Sequence, residues 1–152
     1  MPVHYPSSFN NTQYLGGGTI RLTSWRQAIV PQNTPPYGLN YYSANGVSSG
    51  VVKTTGGATY SFYVTSTNSS NARFLQFFNL ATIPTSLLAP AFVFSIPPGT
   101  VNSPTEIIVG SDFFGPNGIA FTYGISFGLS TSLTAFYPTP TPTDHVIQIN
   151  YT

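Results

Sequence analysis

GIAFTYGISFGLS, residues 118–130, admits two readings with different folds behind them. Gly124-Ile125-Ser126-Phe127-Gly128 matches the G-x-S-x-G nucleophile elbow, in which a serine sits on a strained turn between a strand and a helix. The same stretch also alternates in size. Ile119, Phe121, Tyr123, Ile125, Phe127 and Leu129 are large; Ala120, Thr122, Gly124, Ser126, Gly128 and Ser130 are small. The alternation runs through the motif without a break, and no helical period follows it, so the stretch reads as a β-strand. Its large residues are expected to fill a core. Gly124 and Gly128 permit close backbone approach on the small face, which is expected to lie against another sheet or another subunit.

The triad order Ser…Asp…His is formally met by Ser126, Asp144 and His145. Adjacent residues of a strand point to opposite faces, so Asp144 and His145 cannot make the Asp–His hydrogen bond that a triad requires. No catalytic residue is expected, and the chain does not read as an enzyme.

Working outward, the same period of two recurs between clusters of turn residues. VVKT (51–54) leads through Gly56-Gly57 to ATYSFYVTS (58–66), with Ala58, Tyr60, Phe62 and Val64 on one face and Thr59, Ser61, Tyr63 and Thr65 on the other. RFLQFFNLA (73–81) is apolar on both faces, which predicts a central strand. AFVFSIP (91–97), TEIIVG (105–110) and DHVIQINY (144–151) follow. Pro97-Pro98-Gly99, Gly115-Pro116-Asn117-Gly118 and the run YPTPTPT (137–143) separate them; the last reads as a stiff connection between two strands. Seven or eight short strands at this spacing predict an all-β fold, a jelly-roll-like antiparallel β-sandwich.

Residues 1–46 are different. They hold one clear strand candidate, TIRLTSWRQAIV (19–30), among GGG (16–18), Pro31, Pro35 and Pro36. The expected division is an extended N-terminal arm over 1–46 and a sandwich over 47–152. At about 3.3 Å per residue such an arm reaches roughly 150 Å, enough to cross a neighbouring subunit.

Composition narrows the function. Only 5% of the residues are charged, against about 25% in an ordinary globular chain, while Ser, Thr and Asn supply the polarity beside 10 Tyr and 12 Phe. A net charge of +1 gives no basic patch to neutralise phosphates, so no nucleic-acid partner is expected. There is no apolar run long enough to span a bilayer, and MPVHYPSSFNNTQYL does not read as a secretory signal. No membrane partner is expected. Near-zero net charge favours association, and suits a subunit mostly covered by neighbours.

Without cysteine, thiol chemistry and Cys-based metal sites are excluded. His4 and His145 are far apart in sequence, and Gly16-Gly17-Gly18 lacks the Lys and helix of a phosphate loop, so neither a metal nor a cofactor is expected. Sequons at Asn10, Asn68 and Asn150 are unremarkable in a chain so rich in Ser, Thr and Asn. Partner binding is assigned instead to Trp25, Tyr37, Tyr41 and Tyr42, since Tyr and Trp combine large contact area with a polar tip. Arg73, opening the most apolar strand, is the further candidate, with Glu106 or Asp112 as possible ion-pair partners.

The stretch from about Gly50 to the C-terminus resembles a family of small β-sandwich structural proteins of tailed bacteriophages. VVKTTGGATYSFYVTS, RFLQFFNLATIPT, FVFSIPPGT, GPNGIAFTYGISFGLS and DHVIQINYT carry the resemblance. These are turn and core positions, not a chemical signature. The resemblance implies a capsid cement or decoration subunit at the capsid surface of a virion. Its implied partners are the major capsid protein and itself, as a homotrimer. A tail, fibre or carbohydrate-binding receptor module is the alternative.

Overall fold

The computed structural model describes residues 38–43 and 46–152. The strand candidate at 19–30, with Trp25, and Tyr37 lie outside the described residues. The chain runs β1 (Leu39–Ser43), β2 (Ser49–Lys53), β3 (Gly57–Ser66), β4 (Arg73–Phe78), β5 (Phe92–Ile96), β6 (Thr105–Val109), a single helical turn α1 (Ser111–Phe114), β7 (Ile119–Phe121), β8 (Ile125–Ser130), a 3-10 turn (Pro142–Asp144) and β9 (His145–Tyr151).

Two antiparallel sheets result. The first has the order β1-β9-β3-β6, with β7 also on β3; the second has the order β2-β8-β4-β5. Setting β7 aside, β1 pairs with β9, β2 with β8, β3 with β6 and β4 with β5. These four pairs are nested, as in one long hairpin wound over so that its rungs fall alternately into two sheets. Pairing of β9 with β3 and of β8 with β4 joins the rungs within each sheet.

The sheets meet through their period-two apolar positions. Phe62, Val64, Ile147 and Ile149 from the first sheet pack with Leu75, Phe77, Ile125, Phe127 and Leu129 from the second. Phe62 spans the layer, its ring centroid 5.8 Å from Phe77 and 4.7 Å from Phe94. Burying side chains of this size stabilises by about 1.5–3 kcal/mol each before entropy is counted. The expected all-β sandwich is therefore observed, with nine strands among the described residues. β4 is an inner strand, as its two apolar faces predict.

Three expectations change. The sandwich starts before residue 47, because β1 is a full member of the first sheet, its register running from Leu39 opposite Tyr151 to Ser43 opposite Ile147. Residues 118–130 are not one strand: β7 belongs to the first sheet and β8 to the second, and the chain crosses between them at 122–124. Tyr123 sits on that corner and is 71% exposed, so it is the one large residue of the stretch lost to the interior. Alternation in size is blind to such a corner, since both arms of the bend keep the same inward parity.

The third change concerns the small face of β8. It is covered neither by another sheet nor, as far as the described residues go, by another subunit. Residues 131–139 fold back over it. Phe136 lies on Gly128, where any Cβ would collide with its ring, and packs edge-on against Phe78 at 5.7 Å. Ser130 Oγ donates to the Ala135 carbonyl at 3.0 Å and accepts the Ser132 and Tyr137 amides, both at 3.0 Å. Gln76, fully buried on neighbouring β4, points its Nε2 at the carbonyls of Ser132, Leu133 and Ala135. Small residues on β8 thus make room for the chain's own loop. The 80–91 connection backs this loop, Leu87 and Phe136 exchanging backbone contacts through Leu87 N–H to Phe136 O at 2.8 Å and Phe136 N–H to Leu88 O at 2.9 Å.

Candidate interaction surface

The first sheet keeps its outer face bare among the described residues. Inward alternation of Phe62 and Val64 leaves Ser61, Tyr63 and Thr65 pointing out from β3. Likewise Ile147 and Ile149 leave Val146, Gln148 and Asn150 pointing out from β9. β1 adds Asn40 and Tyr42, and β6 adds Glu106 and Ile108. None of these ten residues is buried, and one of them is charged.

Strand register arranges them in rows. Tyr42 stands opposite Gln148, Gln148 opposite Tyr63, and Tyr63 opposite Ile108. In the next row Asn40 Nδ2 donates to Asn150 Oδ1 at 3.0 Å, and Asn150 Nδ2 donates to Ser61 Oγ at 2.7 Å, a relay across three strands. The Tyr63 hydroxyl donates to Glu106 Oε1 at 2.9 Å. Cross-strand contacts of this kind hold side chains in place. The result is a nearly neutral platform of amides, hydroxyls and two tyrosine rings, with Ile108, 76% exposed, at its edge.

The assigned partner-binding residues separate. Tyr42 is 57% exposed and lies on this platform. Tyr41, its neighbour in β1, points the other way: its ring meets Phe127 edge-on at 5.3 Å, and burial raises the pKa of its hydroxyl. It is a lid on the core. Arg73 is 6% exposed at the end of the sandwich, donating from Nε to Thr139 Oγ1 at 2.9 Å and from Nη1 to the Ala72 carbonyl at 3.1 Å. It is turned inward, and Glu106 is occupied with Tyr63. Trp25 and Tyr37 lie outside the described residues. Tyr63, Gln148 and Asn150 were not assigned to partner binding from the sequence, although their positions on the polar phase of two alternating strands were legible.

The hydrolase reading finds no support in the geometry. Ser126 is fully buried in β8, its hydroxyl without a partner. A different serine, Ser66, meets His145 Nε2 at 3.2 Å, yet both are 1% exposed, and Asp144 turns its carboxylate to Asn68 at 2.9 Å. That hydrogen bond, the largest influence, holds the Asp144 carboxyl below its ordinary pKa. Among the described residues no group of three His, Cys, Asp or Glu is placed to hold a metal ion.

Comparison with protein-family models, with curated proteins and with solved structures finds no match for this chain.

Proposed function

We propose that the chain is a structural subunit of a tailed-phage virion, a capsid cement or decoration protein that binds neighbouring major capsid proteins at the shell surface and works without catalysis. The observation that carries this reading is the outer face of the first sheet, left bare among the described residues: ten outward residues, none buried, one charged. A face with so little charge loses little desolvation energy when covered. Its rows of amide and tyrosine match the residue types that fill interfaces without long flexible side chains. The nested strand pairing supports a jelly roll, an architecture that viral capsid proteins share with lectins, and fold alone decides between neither. Self-association as a trimer would present the face repeatedly to a closed shell, so that weak contacts add through multivalency.

The test is cosedimentation with shells assembled from the major capsid protein encoded alongside this chain. Wild type is expected to decorate them at saturating, stoichiometric occupancy, and Gln148→Lys, which places a cation in the centre of the platform, is expected to lose most of it. Equal occupancy for both would remove the platform from the proposal.

A second reading, a carbohydrate-binding tail or receptor module, is favoured by one observation, the alignment of exposed Tyr42 with Gln148 and Tyr63 beside the Asn40–Asn150 relay. Aromatic faces flanked by amides suit sugar rings. Glycan binding abolished by Tyr42→Ala would favour it, and silence across a broad glycan array would count against it.

A further inference from the structure

In a chain so poor in charge, the described charges are not scattered evenly. Arg73, Asp144 and His145, the one histidine among the described residues, gather at one end of the sandwich. There the 139–145 segment is fastened to the connection between β3 and β4. The Thr67 amide donates to the Asp144 carbonyl at 2.8 Å, and Asn68 Nδ2 donates to Asp144 Oδ2 at 2.9 Å and to Thr141 Oγ1 at 3.3 Å. Asn68 Oδ1 in turn accepts the Ser70 and Asn71 amides, at 3.2 and 3.0 Å, and the Asn68 carbonyl accepts the Gly99 amide at 2.8 Å. Arg73 ties in Thr139. At the centre Ser66 and His145 are opposed in register and bonded through Ser66 Oγ and His145 Nε2.

Ser66 Oγ also accepts the Asn68 amide at 3.3 Å, so this one hydroxyl links the His145 ring to the β3–β4 connection. The other ring nitrogen, Nδ1, is buried. Adding a proton makes both ring nitrogens donors and places a cation in a buried site that already feels Arg73. Burial lowers the His145 pKa first and Arg73 lowers it further; Asp144 and the Thr141 backbone oppose this without reversing it.

We propose that this end of the sandwich is an acid-released latch: protonation of His145 detaches the 139–145 segment, and with it the start of β9, from the β3–β4 connection. The inference rests on the bonding of this cluster and is independent of the proposed function. Its sign follows from linkage. A histidine whose folded pKa lies below its unfolded value of 6.5 contributes stability that is fully present above pH 6.5 and is lost as pH falls below it. Asp144, whose pKa is lowered from 3.8, contributes stability that is present above that pH and lost as pH falls below it.

Two measurements on the full chain test the latch. As pH falls below 6.5 the melting temperature of wild type should fall, by at most about 3–5 °C per pH unit, the limit set by one linked proton in a domain of this size. His145→Gln should flatten that slope while His4→Gln keeps it. A flat wild-type profile, or an unchanged slope in His145→Gln, would overturn the proposal. Should His145→Gln fail to fold, the wild-type imidazole resonances decide. His145 must stay unprotonated well below pH 6.5, and an ordinary titration with the fold intact sinks the latch. Amide exchange, corrected for its intrinsic pH dependence, should show Thr67 and Gly99 losing protection before the β4–β8 ladder. Simultaneous loss throughout would mean global unfolding and no latch.

Discussion

On the second sheet, outward-pointing Phe74, Gln76, Phe78, Ser126, Gly128 and Ser130 include five buried residues; on the first, ten outward residues include none. Both faces are low in charge and rich in hydroxyls and amides, so composition does not separate them. The difference lies in what the chain spends its long connections on. Residues 80–91 and 131–139 run over the second sheet, and the outward side chains of β8 are small enough to receive them. Over the first sheet no described segment passes, and five of its outward side chains, Asn40, Asn150, Ser61, Tyr63 and Glu106, are bonded to one another across the strands. Among the described residues, then, one face is shaped to its cover and the other is organised by bonds within itself.

The sharpest way to break this contrast is to remove the cover's anchor. Phe136 is almost fully buried between Gly128 and Phe78. Phe136→Ala should cost about 3–5 kcal/mol in urea unfolding, as for any buried aromatic that leaves a cavity. A loss under about 1 kcal/mol would mean that the loop rests on the sheet without being part of its core.

The next test approaches the same contact from below. Gly128→Ala places a methyl group against the Phe136 ring and should cost about 1–3 kcal/mol by overpacking. Combined with Phe136→Leu, the two changes should be less than additive, because the smaller side chain leaves room for the methyl group. Strict additivity across the double-mutant cycle would separate the glycine from the loop.

Much of this was legible in the amino-acid sequence, and the failures have physical causes. Period-two alternation located most strands and the inward residues of β3, because burial on one face of a strand imposes that period directly. From Phe62 onward the expected faces of β3 hold. Nearer its start a bulge between Thr59 and Ser61 shifts the register, and Thr59 becomes buried. β1 was assigned to an arm because NYY, among Gly and Pro, carries no alternation; its strand character comes from pairing with β9, which is remote in sequence. Tyr41 and Tyr42 were grouped as equals by residue type, yet strand parity sends one into the core and the other to the surface. The small face of β8 was expected against another sheet or another subunit, and Arg73 was assigned to partner binding or an ion pair; within the described residues Phe136 lies on Gly128, and Arg73 donates to Thr139. Loop cover leaves no periodic trace, so a face prepared for a loop and one prepared for another protein look alike until the loop's path is known.

The smallest expected effect on stability is the most informative about the bare face. Gln148 stands in mid-sheet, half-buried between Tyr42 and Tyr63, with its side chain on the open side. A lysine there can run its stem along the tyrosine rings and keep its ammonium in water. Gln148→Lys and Thr65→Lys should each therefore change unfolding free energy by no more than about 0.5 kcal/mol. The same substitution at Gln76, the buried amide facing three carbonyls on the other sheet, should instead be severe. If Gln148→Lys proved as damaging as a change at Gln76, the first sheet would have a cover after all, and the contrast between the faces would fail. If it is silent in stability yet removes binding to the shell, the unburied rows of the first sheet become the surface on which the partner is recognised.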